Sequence, residues 1–152
     1  MLIVGVTRRA EPSLVALMQT FLTTASLDTE RATALKVLCR YWGLWDQFLD
    51  YVMDNISPET FDAYPMVADQ AFNLLGEYLS GHLNRKAWGR LVGIYEGARA
   101  ASNEELTKAA YASIHVGLVG PKEALRQRLK KEFRENDSQV LAEARSKVGL
   151  VN

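Results

Sequence analysis

The chain has 152 residues, 48% of them apolar and 24% charged, with 18 basic side chains balanced by 18 acidic ones. That length suits one domain with a substantial core, and the composition excludes a disordered, collagen-like or low-complexity chain. Zero formal charge excludes an overall electrostatic pull toward nucleic acid or anionic membrane, and a single cysteine, Cys39, excludes an internal disulfide.

Met1-Leu2-Ile3-Val4-Gly5-Val6 opens the chain with its only strand-like pattern. The run is too short to span a bilayer, and it lacks the basic lead and small-residue cleavage site of a signal peptide. Residues 1–10 are read as a short arm, residues 11–152 as a single all-helical domain, and the location as cytoplasmic. From Pro12 onward the apolar spacing is helical. Pro12 suits an early helical position, and a first helix to about Ala25 places Leu14, Leu17, Phe21 and Leu22 inward. Ser26 or Asp28 can cap a long second helix over residues 29–54. Its Leu35, Leu38, Trp42, Trp45, Leu49 and Val52 form one seam, with Gly43 the weak point.

Ser57-Pro58-Glu59 is a start signal, with a serine cap, a proline in the first turn and an acid at the positive helix end. That third helix runs to about Leu79, bends near Pro65 and stops at Ser80-Gly81. A fourth, over residues 85–101, turns Trp88, Leu91, Val92 and Tyr95 inward. Ser102-Asn103-Glu104-Glu105 restarts a fifth, carrying Leu106, Ala110 and Ile114 to Gly117 or Gly120. Pro121 opens a sixth to about Glu135, with Leu125, Leu129 and Phe133 at four-residue steps, and a last helix is capped near Asp137 or Ser138 and ends before Gly149. Six or seven helices on short turns predict an all-α fold, a bundle or an irregular stack of helical hairpins. No tetratricopeptide or ankyrin repeat is present.

Catalytic signatures are missing for nameable reasons. There is no phosphate-binding loop and no glycine-rich dinucleotide turn. One cysteine and two distant histidines are too few for a structural zinc site. Asp46, Asp50 and Asp54 recur every four residues along one side of a helix, but di-iron bundles use Glu-x-x-His pairs facing the core, and these aspartates flank the seam instead. No cofactor, metal or catalysis is expected. Cys39 lies within a helical apolar pattern and reads as a buried thiol. His115, between Ile114 and Val116, reads as a hydrogen-bonded packing histidine, and His82, after Gly81, as part of a helix connection.

The charge is unevenly placed. Tyr41 to Asn84 contains no lysine or arginine, yet holds seven acids: Asp46, Asp50, Asp54, Glu59, Asp62, Asp69 and Glu77. The same window is rich in aromatics, of which Trp42 and Trp45 fall on the seam, while Tyr51, Phe61 and Tyr64 fit the core pattern less well. Large rings anchor an interface while charges steer association. Asp46, Asp50, Tyr51, Asp54, Glu59, Asp62, Tyr64, Asp69 and Glu77 are therefore the candidate contacts for a protein partner with a basic surface. The plainer alternative is a solvated face that maintains solubility. Toward the carboxy terminus, Lys122, Arg126, Arg128, Lys130, Lys131 and Arg134 form a basic cluster interrupted by Glu123, Glu132 and Glu135. Without aromatic stacking or a helix-turn-helix signature it argues only weakly for nucleic acid, and a helical adaptor or regulatory subunit is the second reading.

Three further phrases, Trp88-Gly89-Arg90-Leu91-Val92-Gly93-Ile94-Tyr95-Glu96-Gly97, Ser102-Asn103-Glu104-Glu105-Leu106 and Ile114-His115-Val116-Gly117-Leu118, lie within a stretch of about thirty residues, 88–118. They resemble small helical immunity proteins that neutralise bacterial polymorphic toxins, including those of contact-dependent inhibition systems. The resemblance implies a cytoplasmic, non-catalytic inhibitor of one cognate toxin domain, commonly a nuclease, and carries no catalytic residues.

Overall fold

A computed structural model describes residues 10–25 and 27–149; the apolar run at residues 2–6, most of the expected arm and the candidate cap Ser26 lie outside them. The fold is all-α. Among the described residues there are nine α-helices, one π-helical turn and no strand, against the six or seven helices expected. No helix among them is long and apolar enough to cross a membrane.

The difference in number has two local causes. The long second helix divides into α2 (Asp28–Lys36), a π-helical turn (Val37–Tyr41) and α3 (Trp45–Asp54). The break falls at Gly43, whose φ of +68° a residue with a side chain adopts only with strain. The third helix divides at Tyr64 into α4 (Pro58–Ala63) and α5 (Pro65–Leu79), because proline disfavours helical geometry in the residue before it and supplies no N–H to continue the ladder. Three other expected starts keep their caps. Ser57 accepts the Thr60 N–H and Asn103 the Leu106 N–H, while Asp137 accepts from Gln139 and Val140.

The chain forms two compact units, Met1–Leu74 and Leu75–Asn152. In the first, α1 (Pro12–Thr24) packs on α2 and the π-helical turn, which also meets α3. Its core includes Met18, Leu22, Leu35, Val37, Leu38, Cys39, Phe48, Val52 and Ile56. Leu17, expected inward, is exposed, and Met18 occupies the buried position in its place. Trp42, Trp45 and Leu49 are only half-buried, since the turn at Gly43 interrupts the seam they were expected to extend.

In the second unit, α6 (Arg85–Ala100) packs on α7 (Glu104–Val119) and on α9 (Ser138–Val148), and α8 (Pro121–Leu129) lies against α7. Trp88, Leu91, Val92, Tyr95, Leu106, Ala110 and Ile114 are buried as expected. Two glycines set the closest approaches. A Cβ at Gly76 would lie 2.8 Å from the Ser113 carbonyl oxygen, and one at Gly117 would lie 2.8 Å from Trp88 Cη2. The sixth helix is shorter than expected. It ends at Leu129, where Lys131 takes φ +57° and the Glu132 N–H reaches back to the Gln127 carbonyl, the six-to-one bond of a Schellman cap. Its buried residue is Ala124, while Leu125 and Leu129, expected along the apolar stripe, are 59% and 76% exposed.

Candidate partner-binding surface

The candidate contacts begin on α3. Phe48, Val52 and Met53 turn inward, and 100° per residue then carries Asp46, Asp50 and Asp54 to the other side, where all three are exposed. Asp46 stands in the first turn, at the positive end of the helix dipole. Asp54 closes the last turn at the negative end, with no basic residue in that turn. The short α4 adds exposed Glu59 and Asp62, and α5 adds exposed Asp69, whose Oδ2 accepts from Asn73 Nδ2 at 3.3 Å. Among the described residues, Asp46, Asp54 and Asp62 take part in no ion pair.

The two tyrosines have different roles. Tyr51 is half-buried and its hydroxyl donates to the Leu22 carbonyl at 3.3 Å, tying α3 to the end of α1. Burial pushes its phenol above the usual value, against the opposing effect of the Arg31 charge. Tyr64 is 43% exposed at the break between α4 and α5, with the Arg31 guanidinium 4.8 Å from its ring centroid. Arg31 is further held by donating from Nε to the Ala25 carbonyl at 2.8 Å. Phe61 packs edge-on to Phe72, with centroids 6.5 Å apart. Glu77 is half-buried and lies beyond Leu74, in the second unit, so the first unit gathers eight of the nine candidate residues.

Sequence reasoning missed two features beside these residues. Asp28 does not cap its own helix. Its carboxylate reaches across to α5, accepting the Met66 N–H at 2.8 Å and the Val67 N–H at 3.1 Å. Between α2 and the start of α5 lies an open groove of about 470 Å³, lined by Thr29, Ala32, Lys36, Pro65, Met66 and Asp69 among others. Small residues on α2 and a proline-led helix start are its only traces in sequence.

The unit boundary makes the charge separation sharper. Met1–Leu74 has nine acidic and five basic residues, a formal charge of −4, and Leu75–Asn152 has nine acidic and thirteen basic, a formal charge of +4. Within the basic cluster, Arg126 donates from Nε to Glu123 at 2.7 Å and pairs with Glu132 at 3.2 Å, so its charge is answered inside the unit. His115 is buried, with Nε2 2.8 Å from Gln127 Oε1 and its ring edge-on to Phe133. His82 stacks on Tyr78 in the connection between α5 and α6. Among the described residues, no group of three or more histidine, cysteine, aspartate or glutamate side chains is placed to hold a metal ion. Compared with family models, curated proteins and solved structures, the chain matches none.

Proposed function

We propose that this chain is a non-catalytic inhibitor, of the immunity type, that neutralises a basic protein partner such as a nuclease toxin domain inside the cell that makes it. The observation that carries the reading is the exposure of Asp46, Asp54 and Asp62 without ion-pair partners among the described residues, on a unit of formal charge −4. Carboxylates so placed can occupy a site where a nuclease holds phosphates. The attraction speeds encounter and selects against partners of like charge. Tyr64, with its exposed ring, and Met66, 50% exposed beside it, supply the apolar contacts that charge alone lacks.

The test is affinity capture from the source cell with wild-type protein and with an Asp46→Lys, Asp54→Lys, Asp62→Lys variant. Wild type should enrich a basic protein that the variant does not, and the enriched protein's nuclease activity should fall on adding wild type. Equal enrichment by both proteins removes these carboxylates from the interface. Retention on heparin that depends on Lys122, Lys130 and Lys131 favours the adaptor reading instead.

A further inference from the structure

The helix α8 turns two leucines outward. Leu125 and Leu129 are one helical turn apart and therefore stack on one face, and their exposures of 59% and 76% are high for neighbouring apolar side chains. At 100° per residue, Lys122 and Arg128 fall on either side of this pair, and Lys130 and Lys131 follow at the helix end, all exposed. The inward side is already committed, through buried Ala124 and through Gln127, which holds His115. The outward side is thus an apolar knob flanked by Lys122 and Arg128, on the unit of charge +4.

The complementary arrangement is present in the same molecule. On the first unit, Pro65 and Met66 border the 470 Å³ groove beside α2. Asp69 also lines the groove, and Asp62 and Tyr64, just before Pro65 in the chain, are exposed. Among the described residues Lys36 is the cation that lines the groove, and its ammonium lies 5.9 Å from the Tyr41 ring centroid. Knob and groove both present apolar side chains, and the exposed charges that would meet, Lys122 and Arg128 on one and Asp62 and Asp69 on the other, are opposite in sign.

We infer that α8 of one copy docks its Leu125–Leu129 face into the α2–α5 groove of a second copy, with Lys122 and Arg128 meeting Asp62 and Asp69. The two faces are different surfaces, so the contact is heterologous. Each added copy leaves one face of each kind free, and assembly proceeds to rings or open chains. The contact is a small one, of the weak and salt-sensitive class. It does not rest on the inhibitor reading, although a basic partner seated on the same carboxylates would compete with it.

Sedimentation velocity of the full chain tests the contact at about 0.05 M and about 0.5 M salt, conditions that span weak and strong screening. Wild type should shift to larger species with concentration at low salt, and the shift should shrink at least several-fold at high salt. Leu125→Asp with Leu129→Asp, and separately Asp62→Lys with Asp69→Lys, should each sediment as monomer. Mixed together, the two double variants each retain one intact face, and they should form a pair that grows no further. All four positions are exposed, and circular dichroism confirms that each variant is folded. A wild type that stays monomeric at low salt overturns the inference. So does a folded leucine variant that still assembles, or a mixture that fails to pair. Binding to phosphatidylserine vesicles without self-association would instead assign the α8 face to membranes and overturn it equally.

Discussion

The carboxylate of Asp28 sits on the first turn of α5, thirty-eight residues further along the chain, accepting the Met66 N–H at 2.8 Å and the Val67 N–H at 3.1 Å. A helix start leaves its first N–H groups without intrahelical partners, and the tyrosine that precedes Pro65 has no short side-chain acceptor to offer them. A residue from α2 fills the place, and in doing so holds α2 and α5 as the two walls of the groove. Asp28→Ala should cost about 1–2 kcal/mol of stability, the range for losing a cap with charge-assisted bonds. Asp28→Asn, which keeps one acceptor oxygen, should cost less. Urea denaturation of the two variants checks the order, and equal losses would show that the hydrogen bonds contribute nothing beyond the charge.

Gly76 and Gly117 give a second expectation. A Cβ at either position comes within 2.8 Å of something that cannot easily retreat, the Ser113 backbone at one and the buried Trp88 ring at the other. Gly76→Ala and Gly117→Ala should each destabilise by about 1–3 kcal/mol, the scale of overpacking in a dense core, despite alanine's better helix propensity. Gly93→Ala, where nothing lies within 4 Å, is the control. It should be neutral or slightly stabilising.

The Glu123 latch titrates. Hydrogen bonds from Arg126 and then Gln127 hold its carboxyl down to about 2 from an ordinary 4.5. A folded value below the unfolded one means that the contribution is present above about pH 4.5 and is lost as pH falls from there through 2. Glu123→Gln should therefore lower the denaturation midpoint at neutral pH, with the gap to wild type closing between pH 4.5 and 2. Both side chains are substantially exposed, so the gap is expected to be small. A gap that persists unchanged at the acid end would assign the loss to packing against Gln127.

Cys39 lies within the π-helical turn with no exposed surface, and burial pushes its thiol up to about 12. Thiolate is the reactive form. In native protein at neutral pH a thiol reagent should leave Cys39 unmodified, and in guanidinium chloride it should modify it fully. Rapid modification of the native protein would mean that the π-helical turn opens.

Asp54 separates stability from binding. Its place at the negative end of α3 costs about 0.3–1 kcal/mol relative to a cation there. Asp54→Lys should therefore raise the melting temperature while weakening capture of the proposed partner. A variant that is both more stable and equally able to capture would leave solubility as the role of this acid.

Much of the fold was legible, and the reasons are local. Ser57, Asn103 and Asp137 cap helices because their own oxygens reach N–H groups two or three residues away, a relation written in adjacent letters. The inward faces of α6 and α7 follow from large apolar residues at helical spacing. The same logic failed on α8, where leucine and phenylalanine at four-residue steps pointed to a core that small Ala124 occupies instead. Periodicity does not record which face of a helix meets its neighbour. The π-helical turn and the reach of Asp28 to α5 were likewise hidden, the first because one extra residue in a turn leaves composition unchanged, the second because its partners are distant in sequence. Of the candidate contacts, the acids were found by their lack of nearby basic residues. The groove beside Met66 arises only when α2 and α5 come together.

The opposed charges of the two units bear on how the molecule behaves among others. Counter-ions in physiological salt damp a field over about 8 Å, a distance shorter than a helix of ten residues is long. A neighbour therefore responds to the charges it touches and not to the zero formal charge of the whole chain. The protein can be held by anion and cation exchangers alike at neutral pH, and its crowding behaviour is governed by orientation rather than by net valence.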